Sequence, residues 1–135
     1  MTGHEDAPHP ARRILAVLEC RSTDDDVRRR AVELASRSGG YLTLVAVVPR
    51  PFPCLGASPY CAPRVSSEEL RAHAASALAR AVALVPSDVP LMTALEDGKP
   101  SDVIRRRVAA AAHDAVVVRR RRLVARTLSV PVVAC

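Results

Sequence analysis

Short apolar runs alternate with mixed, helix-patterned stretches along the chain. Residues 13–19, RILAVLE, are almost continuously apolar, the pattern of a strand buried on both faces. YLTLVAVV at 41–48 is rich in β-formers, and VPLMTALEDG at 89–98 reads as a third strand with the turn that leaves it. DAVVV at 114–118 and VPVVA at 130–134 complete a set of five.

The stretches between them carry helical periodicity. In STDDDVRRRAVELASRSGG, Val27, Ala31, Leu34 and Ala35 fall on one face, with Arg28, Arg29, Glu33 and Arg37 largely away from it. Thr23 with Asp26 predicts an N-terminal box, the three aspartates suit the positive end of the helix dipole, and Gly39-Gly40 predicts a left-handed stop. SSEELRAHAASALARAVALV opens on a capping box, Ser66 with Glu69, and buries Leu70, Ala74, Ala77, Leu78 and Ala81 before Pro86 ends it. KPSDVIRRRVAAAAH places Pro100 near its first position, with Ile104, Val108, Ala111 and Ala112 facing inward and Arg105, Arg106 and Arg107 beginning the outer face.

Strands alternating with helices predict an α/β fold: a single open, mostly parallel five-stranded sheet with right-handed crossovers and helices on both faces. There is no repeat and no second compositional regime, so residues 12–135 are expected to form one domain behind a polar, disordered leader at 1–11, where His4 and His9 would be solvated. Residues 49–65 carry five prolines and are expected to form an irregular loop.

Composition narrows the picture. Apolar residues make up 49% of the chain but aromatics only 2%, so the core must be built from Ala, Val and Leu. No apolar stretch approaches the ~20 residues of a membrane span, and no apolar leader marks the chain for export, so a cytoplasmic location is expected. The net charge of +6 comes from arginines and one lysine, Lys99. That balance suits a polyanion partner, but the preferred reading is the product of a GC-rich coding sequence, because basic composition without a binding motif is weak evidence. Tyr41, Phe52 and Tyr60 are too few to stack bases, so nucleic acid is not the expected partner. Cys20, Cys54, Cys61 and Cys135 form no CxxC pair and are expected to be reduced thiols, with no metal site.

The ordered segments resemble the universal stress protein family. ILAVLE is similar to that family's opening strand, which ends in an acidic residue; AVELASRSGGYLTLVAVV to its helix-glycine-strand passage; EDGKPSDVI to its glycine turn into the third helix; HDAVVV to its approach to the fourth strand; and SVPVVAC to its closing strand. The resemblance runs from residue 13 to 135. It implies the strand order 3-2-1-4-5 and, in members that bind ATP, a nucleotide pocket at the carboxyl ends of strands one and four. The same place follows from the rule that ligands sit where strand order reverses. By resemblance the pocket positions are Glu19, a Glu where Asp is usual, Val47 in strand two, and Val118 before the phosphate loop.

The match stops there. ATP-binding members follow strand four with Gly-x2-Gly-x9-Gly-Ser/Thr, whose glycines let backbone N–H groups approach phosphate. Here Arg119 stands at the first glycine, no glycine follows Gly98, and the connection to the last strand is shorter. The fourth crossover is therefore expected to be a turn or two of helix, or the last strand to run antiparallel. ATP is not expected to bind in the family's manner, and no cofactor is expected. The arginines at 119–122 could still fork onto phosphates, but consecutive side chains diverge, so a vestigial site is preferred to a substitute one.

Other chemistry is weaker. Cys20 follows the first strand and would be redox-sensitive if arginines lowered its pKa, although a small, semi-buried residue where the family this sequence resembles commonly has glycine is the preferred reading. His73 and His113 read as surface or cap histidines, and no GxSxG, P-loop or HExxH is present. The aspartates at 24–26 resemble a receiver's acidic cluster but lack partners, so helix capping is preferred. The expected function is a non-enzymatic, stress-response regulatory or interaction domain. Its expected partners are a second copy of itself, through the last strand at a sheet edge, and a protein the sequence does not identify. Two alternatives remain: a module binding AMP or ATP through Glu19 and the arginines, and a basic polyanion binder.

Overall fold

The computed structural model describes residues 12–21, 24–48, 66–119 and 130–135. The expectations for the leader at 1–11, Thr23, the proline-rich loop with Cys54 and Cys61, and the arginines at 120–122 with the short helix after them lie outside the described residues.

The elements follow in the order β1 (Arg13–Leu18), α1 (Asp24–Ser38), β2 (Tyr41–Val48), α2 (Ser67–Ala83), β3 (Leu91–Asp97), α3 (Pro100–Ala110), β4 (Ala115–Val118) and β5 (Val132–Ala134). They build one five-stranded sheet in the order β3-β2-β1-β4-β5, with every neighbouring pair parallel. The antiparallel alternative for the last strand is thereby excluded: Val116, Val117 and Val118 pair with Val132, Val133 and Ala134 in parallel register.

β1 explains why the first apolar run has no alternation. It sits between β2 and β4, so Ile14, Ala16 and Leu18 face one helix layer while Leu15 and Val17 face the other, all of them buried. On the first face they pack with Leu42, Leu44, Ala46, Ala115 and Val117 beneath Val27, Ala31 and Ala35 of α1 and Ala81 of α2. On the second, Val45, Val47, Val116 and Val118 pack beneath Val103 and Ile104 of α3. Burying one such Leu or Ile side chain contributes about 1.5–3 kcal/mol.

Local signals set the ends. Ser66 accepts a hydrogen bond of 3.1 Å from the Glu69 N–H, which starts α2. Gly39 has φ of 60°, and Gly40 N–H reaches back to the Ala35 carbonyl at 2.9 Å, closing α1 in a Schellman turn. Gly40 is needed for a second reason: a Cβ there would overlap the Arg12 carbonyl oxygen, which accepts the Tyr41 N–H that begins the β1–β2 pairing.

Two helix faces differ from expectation. α3 ends at Ala110, so Ala111 and Ala112 are exposed, while Val103, one turn into the helix, is buried. The alanine run continued the helical pattern on paper, but it has no sheet to lie on before Asp114. Arg28, expected to point away from the core, has a side chain only 12% exposed, with Asp25 at 3.8 Å. The Arg28 Nε is buried and has no hydrogen-bond partner among the described residues.

Candidate functional site

The reversal of strand order falls between β1 and β4, whose neighbours extend the sheet in opposite directions. Glu19 directly follows β1, Val47 lies near the end of β2, and Val118 ends β4, so the fold gathers these three at the carboxyl edge of the sheet. Arg119, half-buried, leaves β4 there. The two valine side chains are buried beneath the α3 layer, so at this edge they offer backbone more than surface. The Val118 carbonyl accepts the Cys135 N–H at 3.0 Å, which ties β5 to the same edge.

The turn leaving β1 is held by Asp24. Its carboxylate accepts the Glu19 N–H at 2.9 Å and the Arg21 N–H at 3.2 Å. Burial, the largest influence, pushes the Asp24 carboxyl above the usual carboxylate range, against the backbone N–H groups that stabilise its charge. Between the two bonded N–H groups, Cys20 takes φ of 60°, the one non-glycine positive φ among the described residues. This is the backbone geometry that favours glycine. The Cys20 thiol points back to the Val47 carbonyl at 3.7 Å, a weak sulfur hydrogen bond across the ends of β1 and β2. Burial and the Asp24 charge raise its pKa, outweighing the opposing pull of Arg80. The arginine-activated thiol is therefore not realised; Cys20 is a half-buried residue in a glycine-like position.

A crevice of about 490 Å³ opens beside that turn. Cys20, Arg21, Asp24 and Asp25 line one wall, and His73, Ala77, Arg80, Ala81 and Leu84 of α2 line the other. None of Glu19, Val47, Val118 or Arg119 is among its lining residues, so the pocket positions expected by resemblance and this crevice are distinct parts of one edge. Arg80, His73 and the crevice itself were not foreseen. The gap between two helices depends on how their crossovers land on the sheet, which periodicity does not encode. Among the described residues no group of His, Cys, Asp and Glu is arranged to hold a metal ion.

Among the described residues, the arginines of α1 and α3 are largely spent on the protein's own carboxylates. Glu96 on β3 holds both Arg107, at 2.8 Å, and Arg106, at 3.2 Å. Asp97 holds Arg71 of α2 at 3.0 Å, and Glu33 holds Arg30 and Arg37 on α1. His113 lies at the opposite, amino edge, its Nδ1 at 3.0 Å from the Ala111 carbonyl. Burial, with Arg13 and Arg107 nearby, lowers its pKa.

An open, all-parallel sheet whose strand order reverses between β1 and β4, covered by helices on both faces, defines the doubly wound α/β class. Comparison with known proteins makes this specific: the universal stress protein family matches residues 10–132, and the chain belongs to that family. Similar solved structures include a universal stress protein family member from Burkholderia pseudomallei, with 22% identity, a TM-score of 0.70, and 91% of this chain and 94% of that one covered. A universal stress protein in complex with cAMP has 15% identity and a TM-score of 0.67, covering 92% and 96%. A family protein from Arabidopsis thaliana with AMP bound has 16% identity and a TM-score of 0.60, covering 93% and 90%. No curated protein matches. Among the described residues no helix is long and apolar enough to cross a membrane.

Proposed function

We propose that this protein is a non-enzymatic regulatory or interaction domain of the stress response that does not hold ATP in the family's manner. Membership of the family supports the stress-response assignment. The observation that carries the rest is at the end of β4: Arg119 follows Val118 directly, and no glycine follows Gly98. A triphosphate needs backbone N–H groups that can close around it, and side chains at every position of that segment obstruct such an approach. Titration calorimetry with Mg-ATP should show no binding at millimolar nucleotide; saturable binding overturns the reading.

A second reading is favoured by the family proteins of similar fold that carry cAMP and AMP. In it, an adenine mononucleotide sits at the carboxyl edge by Glu19, Val47 and Val118, with Arg119 near the phosphate. AMP binding lost in Glu19→Ala would support it, and no thermal shift with AMP would remove it. A polyanion role is less favoured, because most of the helix arginines, Arg29 and Arg80 apart, already face Asp25, Glu33, Glu96, Asp97 or Asp102.

The expected partner is a second copy of the chain, and a cytoplasmic location goes with this reading. β5 pairs with β4 on one side only and carries half-buried Val132 and Val133, so its free edge is suited to pairing. Light scattering at micromolar protein should give a dimer, and a monomer removes the partner.

A further inference from the structure

The crevice between α1 and α2 is lined by two arginines that, like Arg12, Arg13, Arg29 and Arg119, form no ion pair among the described residues. Arg28, Arg30, Arg37, Arg71, Arg105, Arg106 and Arg107 each face a carboxylate of the protein. Arg21 and Arg80, which line the crevice from opposite walls, form no ion pair among the described residues.

The two carboxylates on the same rim are already engaged. Asp24 accepts the Glu19 and Arg21 backbone N–H groups. Asp25 faces Arg28 and is 67% exposed, so water screens it. Arg21 and Arg80 are thus the charged groups of the crevice whose side chains have no partner among the described residues, with His73 beside them on the lining. Ala77 and Ala81 of α2, with Leu84 just after it, add apolar surface to the crevice lining.

We propose that this crevice is a binding site for a small organic anion, whose phosphate or carboxylate is held by Arg80 and Arg21 and whose apolar body lies on Ala77, Ala81 and Leu84. Guanidinium forks match both anionic groups bidentately. The volume of about 490 Å³ suits a ligand of small-metabolite size. The site uses neither Val47, Val118 nor Arg119, so it stands or falls independently of adenine nucleotide binding at the carboxyl edge.

The test is calorimetry of the full chain with phenyl phosphate, phenylacetate and inorganic phosphate. At least one aromatic anion should bind saturably at millimolar concentration, and which of the two binds more tightly assigns the anionic group. Arg80→Gln should weaken it about tenfold or more, while Arg29→Gln, an exposed arginine outside the crevice, should leave it unchanged. Arg80 is itself exposed, so its replacement should leave the thermal unfolding midpoint in place and keep the comparison clean. Absence of binding, equal affinity in Arg80→Gln, or inorganic phosphate binding as tightly as the aromatic anions would overturn the assignment. AMP titrated against Arg80→Gln separates the two sites, because nucleotide held at Glu19 should be insensitive to that change.

Discussion

The Asp24 carboxylate accepts the backbone N–H of Glu19 at 2.9 Å, so the first residue of α1 fixes the residue that follows β1. Sequence order places Asp24 after the turn, yet its work is done backwards, on the turn itself. Its raised pKa gives a pH dependence with a definite sign. An acid whose folded pKa lies above its unfolded value adds stability below that unfolded value, ordinarily 3.8, and loses it as pH rises through the folded value. Wild-type protein should therefore lose stability relative to Asp24→Asn as pH rises from below 3.8 through the folded pKa. Denaturant midpoints across that range check it; parallel curves would contradict it.

His113 runs the other way. Its folded pKa is lowered, so the unfolded chain takes up a proton first as pH falls through 6.5. Stability present at neutral pH should decline on acidification from 6.5 down to the folded value and then level off. His113→Gln should flatten that part of the profile, measured by thermal unfolding at a series of pH values.

Cys20→Gly should stabilise the protein. A left-handed conformation costs an ordinary residue about 1–2 kcal/mol, and glycine removes that cost while adding some unfolded-state entropy. The net expectation is a gain of up to about 1 kcal/mol, with the weak thiol contact to the Val47 carbonyl lost. A denaturant midpoint below wild type would show that the thiol contact matters more than the backbone.

The two adjacent glycines should respond unequally to alanine. At Gly39 a Cβ has open space, so the penalty is the left-handed φ alone, about 1 kcal/mol. At Gly40 a Cβ meets the Arg12 carbonyl and the start of the β1–β2 ladder, so Gly40→Ala should cost more, about 2–3 kcal/mol. Equal losses in urea unfolding would contradict the register assigned to β1 and β2.

Most of the architecture was legible because it depends on local pattern. The unbroken apolar runs identified strands with helices on both faces, and Ser66, Gly39 and Pro100 marked helix ends where the structure has them. Misreadings arose where pattern and packing part. Ala111 and Ala112 continue a helical rhythm with nothing beneath them, and Arg28 lies against the protein although its charge suggested water. The edge that gathers Glu19, Val47 and Val118 was reached through resemblance and strand order. The α1–α2 crevice was not, because its two arginines are separated by α1, β2 and most of α2 and come together only through the tertiary fold.

The pairing of β1 with β4 carries a consequence for how the chain is made. Arg13 is joined to Asp114 by reciprocal hydrogen bonds of 2.7 and 2.8 Å, between residues 101 positions apart. The central strand is thus the first to leave the ribosome and among the last to be completed. Until residues 114–118 emerge, one whole side of β1 is an unpaired apolar edge, open to other chains. Synthesis rate through the second half of the chain sets how long that exposure lasts.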